Sequence, residues 1–167
     1  VYLVTANEGD EKEYAGLNER TTVGAVTLDP TAFPNAAMLK ENHAMGRMRI
    51  TNLSGDTDGD GDYDELYCNG ARSFSIWNSE TGELVFDSGD DFEKITAADP
   101  LTAPIFNADN GGNGFKGRSR AKGPEPEGVT IGRLNNRTFA FIALERIGGV
   151  MVYDITDPNI VVFTDYV

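Results

Sequence analysis

Cysteine and histidine are nearly absent from this chain: Cys68 and His43 are the only examples in 167 residues. One cysteine allows no internal disulfide, and one histidine excludes a multi-histidine zinc site within the chain. Cys68 lies in an apolar-alternating stretch and is expected to be a small buried hydrophobe. His43 is expected on a helical or loop surface. No apolar run approaches the roughly 18 residues that a membrane-spanning helix needs, so no membrane insertion is expected. Positive charge is also scarce. Fourteen Lys and Arg stand against 27 Asp and Glu, for a net charge of −13, which disfavours nucleic acid or anionic membrane as a partner and favours cations. Gly-x-Ser-x-Gly, P-loop and dinucleotide fingerprints are all missing. No signal peptide is visible, and the chain opens on strand-like Val1-Tyr-Leu-Val4, as a mature or excised segment would.

What is present points to an all-β fold. Nineteen glycines and seven prolines indicate many tight turns. Short apolar runs bounded by Gly, Asp, Asn and Pro predict strands at Val1–Thr5, Arg47–Asn52, Glu65–Asn69, Ser73–Trp77 and Leu84–Asp87. A second set is predicted at Gly128–Gly132, Thr138–Leu144, Val150–Tyr153 and Ile160–Thr164. Phe33–Met45 and Asp91–Ala98 have room for short helices, with polar connections at Glu8–Arg20 and Asp99–Gly123. Two internal echoes stand out. Ser73–Asp87 resembles Gly149–Phe163, and Tyr2–Glu8 resembles Phe139–Glu145. Repeated antiparallel units of this kind mark β-propeller blades. At about 40 to 45 residues per blade, the chain supplies about three to four blades, and closed propellers need about four to eight. The expectation is one propeller segment over 1–167, part of a longer chain. An acidic loop at 54–65 and a Gly-rich loop at 99–123 would be insertions, and an ordinary β-sandwich is the alternative.

The acidic loop is the most specific motif. Asp56, Asp58, Asp60, Asp62 and Asp64 alternate along it, with glycines at 59 and 61. Carboxylate oxygens suit hard cations, and calcium takes about six to eight of them. The pattern D-x-[DN]-x-[DN]-G fits at Asp56–Gly61, but Tyr67 stands where an EF-hand needs its bidentate glutamate, and no helical pattern flanks the loop. Calcium is therefore expected as a structural staple, against the alternative of a solvated acidic loop. A second group is Glu125 and Glu127 in Lys122-Gly-Pro-Glu-Pro-Glu-Gly-Val129, joined by Glu8 and Glu145 at the ends of equivalent strands. Converging, they would hold a further cation; otherwise each is solvated in its own loop. Lys116, Arg118, Arg120 and Lys122 form a local basic cluster. It would bind an anionic substrate or pair with the protein's own carboxylates, as would Arg72 and Arg146. The sequons at Asn52 and Asn136 matter only for a secreted eukaryotic protein.

Four stretches carry a family resemblance: Gly55–Asp62, Ala71–Trp77, Lys122–Val129 and Leu144–Asp154, with Leu3–Asp10 in support. Through them the chain resembles the choice-of-anchor I family, which includes mesenchyme-specific cell-surface glycoproteins and many secreted bacterial proteins. The resemblance implies an extracellular, cell-surface or envelope-associated β-propeller, cut here from a longer protein. Three functions follow as expectations. The first is a calcium-binding segment with an adhesive, surface or mineral-associated role, in contact with phosphate-bearing or mineral ligands or with other extracellular chains. The second is a calcium-dependent phosphoesterase, since bacterial relatives are often labelled alkaline phosphatase. Calcium held by Glu8, Glu125, Glu127 and Glu145 would neutralise phosphate charge and activate a water, with Arg118, Arg120 or Arg146 helping, and Glu127, Glu145 and Arg146 are the catalytic candidates. The third is a subunit of an extracellular filament or sheath.

Overall fold

The computed structural model describes residues 1–167, and their contacts gather into two compact units. One unit is Val1–Glu8 with Gly70–Val167; the other is Gly9–Asn69. The chain is mostly β with few helices, in four antiparallel sheets, none closed on itself.

In the first unit, alternation decides which residues are buried, because successive strand side chains point to opposite faces. A three-stranded sheet runs β1 (Tyr2–Ala6), β6 (Phe74–Asn78), β7 (Leu84–Asp87). A four-stranded sheet runs β8 (Pro126–Leu134), β9 (Arg137–Leu144), β10 (Val150–Asp154), β11 (Val162–Tyr166). Phe74 and Ile76 of the first meet Ala140, Ile142, Met151 and Tyr153 of the second in one core. Helix α2 (Asp91–Ala98) adds Phe92, and its first turn carries Asp91 and Glu93, which suits the positive end of the helix dipole.

The sequence echoes are also echoes of register. Tyr2 to Ala6 pair with Asn78 to Phe74, and Phe139 to Ala143 pair with Asp154 to Val150. Both sheets then carry a bulge at the matching place, between Ile76 and Trp77 in one and between Val152 and Tyr153 in the other. The faces, however, are not matched in the core. Met151 and Tyr153, which the second sheet buries, correspond to Ser75 and Trp77 on the outer side of the first. The two sheets therefore stack front to back.

The second unit holds two small hairpin sheets: β2 (Glu13–Tyr14) with β3 (Leu17–Asn18), and β4 (Arg20–Thr22) with β5 (Arg49–Thr51). Helix α1 (Ala36–Leu39) lies between β4 and β5 in sequence. Val23, Leu28 and Ile50 form its core, packed by Phe33, Leu39, Met48, Tyr63 and Leu66 among others.

Two expectations are corrected. Glu65–Asn69 forms no strand: Tyr67 accepts one hydrogen bond from Thr51 at 3.0 Å, and no ladder follows. Cys68 is exposed rather than buried, because without that strand its alternation has no sheet to face. His43 is exposed, as expected.

A candidate cation loop and a buried carboxylate clamp

The acidic loop is closed at its neck by the backbone. Gly55 accepts hydrogen bonds from the amides of Asp64 (2.8 Å) and Glu65 (3.0 Å). Gly55 has φ +123°, and a Cβ there would lie 2.6 Å from the Glu65 carbonyl, so no larger residue fits the neck. Inside the loop the aspartates fold the chain about themselves. Asp56 accepts from Gly59 N (2.6 Å) and Gly61 N (3.0 Å), and Asp64 accepts from the Thr57 amide and hydroxyl, both 2.7 Å.

Two groups of carboxylates result, each with oxygens within 4.8 Å of one another: Asp56, Asp58 and Asp64, and Asp29, Asp62 and Asp64. Asp64 belongs to both. Asp60 belongs to neither and accepts from the Asp62 amide at 3.1 Å. Asp29 was not among the residues expected from the sequence. It arrives through a parallel bridge between Leu28 and Tyr63, with its own amide donating to the Tyr63 carbonyl at 3.0 Å. Asp62 is electrostatically the least comfortable member. Its Oδ1 is out of solvent with no hydrogen-bond partner. Burial, and then the charges of Asp60, Asp29, Asp64 and Asp58, push its carboxyl above the ordinary value. Asp64 is held below the ordinary value by its bonds to Thr57. An all-oxygen set with an orphaned carboxylate oxygen fits a hard divalent cation, which would satisfy that oxygen and offset the repulsion.

The second group lies in the first unit, where Glu8, Glu125 and Glu145 have oxygens within 4.8 Å of one another. Glu8 follows β1 and Glu145 follows β9, the same position in the repeated pattern. Glu125 is fully buried, in a left-handed backbone at φ +54°, with its carbonyl accepting from the Glu145 amide at 2.8 Å. Its carboxylate is taken from both sides by guanidinium groups. Arg118 donates to Oε1 through Nε at 2.8 Å and also through its terminal nitrogen, while Arg146 donates to Oε2 at 2.8 Å. Lys122 lies 2.6 Å from Glu8, and Arg146 lies 3.1 Å from Glu145. Burial alone would raise the Glu125 carboxyl, but the bonds from Arg146 and Arg118 outweigh it and the net shift is downward. Glu145 is raised, first by its hydrogen bond to Glu125 and then by burial.

Three carboxylates are thus matched by three cationic side chains. Glu127 stands outside this group, exposed on β8, and Arg120 is exposed as well. Arg72 is occupied elsewhere: it donates to Glu93 (3.0 Å) and to the carbonyls of Ser119 (2.8 Å) and Ala121 (2.9 Å), fastening the Gly-rich loop to α2. Of the basic cluster, Arg118 and Lys122 pair with the protein's own carboxylates.

Comparison with known proteins agrees with the motifs. The choice-of-anchor I domain model matches residues 1–158. Gigasin-3a of Magallana gigas is 30% identical over 121 residues. The match takes in 69% of this chain and 41% of that protein, so the chain spans well under half of its curated relative. No solved structure matches. Such a domain implies a secreted or surface-anchored protein, and no helix is long and apolar enough to cross a membrane.

Proposed function

The chain belongs to the choice-of-anchor I family, and from that premise we propose that it is a calcium-binding β-propeller segment with a structural role. That role is at a cell surface, in adhesion or against mineral. The observation that carries the calcium reading is the pair of carboxylate groups that share Asp64, one of which contains the orphaned oxygen of Asp62. One ion would take oxygens from Asp56, Asp58 and Asp64, and a second from Asp29, Asp62 and Asp64, with water or backbone carbonyls completing each shell. The chemistry supplied is charge neutralisation: the loop closes only if its carboxylates stop repelling, so ion binding is coupled to folding. The blade reading is supported by the repeated register, the repeated bulge and the front-to-back stacking of the two larger sheets. A structural role suits the second group better than catalysis does, since both oxygens of Glu125 are already engaged by arginines.

Thermal unfolding tests this directly. Calcium at about 100 times its Kd should stabilise the folded state by about 2.7 kcal/mol, raising Tm, and excess chelator should reverse the shift. Asp64→Asn, which removes a charge from both carboxylate groups, should abolish most of the response. A Tm unmoved by calcium and chelator would refute the reading.

A further inference from the structure

We infer that Gly9–Asn69 is a module inserted into the β1–β6 hairpin, which opens and closes as a unit while the sheets of the first unit stay folded. Neither the blade nor the ion of the reading above is needed for it.

The repeated hairpin reveals the insertion. β9 and β10 pair in the register of β1 and β6. One residue beyond β9's last pair with β10, the Leu144 amide donates to the Gly149 carbonyl at 3.1 Å. At the matching place the Asn7 amide donates to the Ser73 carbonyl at 2.9 Å. Gly148 has φ +83°, and its counterpart Arg72 has φ +59°. A residue with a Cβ rarely adopts that left-handed conformation, so its presence in Arg72 shows one closing turn kept in both hairpins. In the β9–β10 hairpin, residues 145–148 complete the connection. In the β1–β6 hairpin, all of Gly9–Asn69 lies between Glu8 and Arg72, the counterparts of Glu145 and Gly148. The hairpin therefore closes in the same way with the stretch or with a short turn. Lengthening the connection costs little, because closure entropy grows only with the logarithm of loop length.

Gly9–Asn69 also has a core of its own. Val23, Leu28 and Ile50 are buried, and the side chains packed on them, such as Phe33, Met48 and Tyr63, all lie within the same stretch. The core of the sheets draws only on Val1–Glu8 and Gly70–Val167. Residues that share packing open together, so two cores make two opening units. The inserted one is the weaker, with three buried residues in its core against nine in that of the sheets. Units of about 40–70 residues seldom bury enough apolar surface for more than marginal stability. The carboxylates offered to calcium, Asp29, Asp56, Asp58, Asp62 and Asp64, all lie in the module. An ion held there acts on the opening of the module and not on that of the sheets.

Hydrogen exchange of the whole chain, read by mass spectrometry with calcium and with chelator, tests the inference. In the wild type, the slowest amides of residues 19–52 should exchange about tenfold or more faster than the slowest of β9 and β10. Ile50→Ala should speed exchange over residues 19–52 by about tenfold or more, and leave β6, β9 and β10 within about twofold of wild type. Phe74→Ala should do the reverse. Where an alanine variant does not fold, Ile50→Val or Ile142→Val takes its place, with smaller changes confined to the same unit. Calcium at about 100 times its Kd should slow exchange about 100-fold in the module and leave the sheets unchanged. Equal slowest rates in the two units, or a change in one core that speeds both alike, would overturn the inference. Calcium that slows the sheets as much as the module would overturn it as well. An absent calcium response would count against the ion alone, since the core variants decide the inference without it.

Discussion

Replacing Glu125 with alanine should destabilise the protein by about 3–5 kcal/mol, because it leaves two arginines facing each other with no carboxylate between them. The site explains the size. Glu125 is fully buried, so its ionised form survives only through the bonds from Arg118 and Arg146. The arginine side chains are 22% and 29% exposed, and Arg146 also reaches Glu145, so some charge can be re-solvated or re-paired. That places the expected loss in the lower half of the range. Chemical denaturation measures it, and a loss under about 1 kcal/mol, the worth of an exposed ion pair, would show that the clamp is not buried.

The same site sets a sign for acid. The Glu125 carboxyl lies below its ordinary value in the folded chain, so its contribution is fully present above the unfolded carboxylate range and is lost as pH falls through the lowered value. Glu145 is raised and acts in the opposite sense, its contribution being lost as pH rises. Glu125→Ala should flatten the acid limb of the stability profile relative to wild type. An acid limb identical in both proteins would mean that another carboxylate controls it.

Phe74→Ala should cost a comparable amount, about 3–5 kcal/mol, through lost transfer energy and the cavity left behind. Phe74 is fully buried, with ring centroids 4.8 Å from Tyr153, 5.4 Å from Phe86 and 6.1 Å from Phe92. It touches both sheets and α2, so no single neighbour can move to close the space. Against total stabilities of about 5–15 kcal/mol for ordinary domains, such a loss leaves little margin. Leu84→Ala, at a half-exposed position of the same hairpin, is the control and should change stability by no more than about 0.5 kcal/mol. Equal losses at the two positions would contradict the core described here.

Particular elements show what was legible beforehand. β1 and β6 to β11 were predicted within a few residues because their apolar positions alternate with period two, a signal carried by neighbours in sequence. β2, β3 and β4 were not, since strands of two or three residues are too short to show a period. Glu65–Asn69 shows the opposite error: the local pattern suits a strand, but pairing beyond a single bond never forms. At the candidate sites, Asp56, Asp58, Asp62 and Asp64 could be named because they lie close together in one loop of the sequence. Asp29 could not, since only the Leu28–Tyr63 bridge brings it there. Glu8 and Glu145 could be named from the echo and Glu125 from its flanking prolines, whereas Glu127, two residues from Glu125, ends exposed.

The sequence alone determined the family, the β class, the repeat and the crowding of carboxylates in the acidic loop. Each of these is written in residue type and short-range spacing, which act on the chain before it folds. The tertiary structure decided which carboxylates come within reach of one another and which are answered by arginine. It also decided which face of each repeated sheet is covered. Those are questions of distance between residues far apart in sequence, and only the packed chain sets that distance.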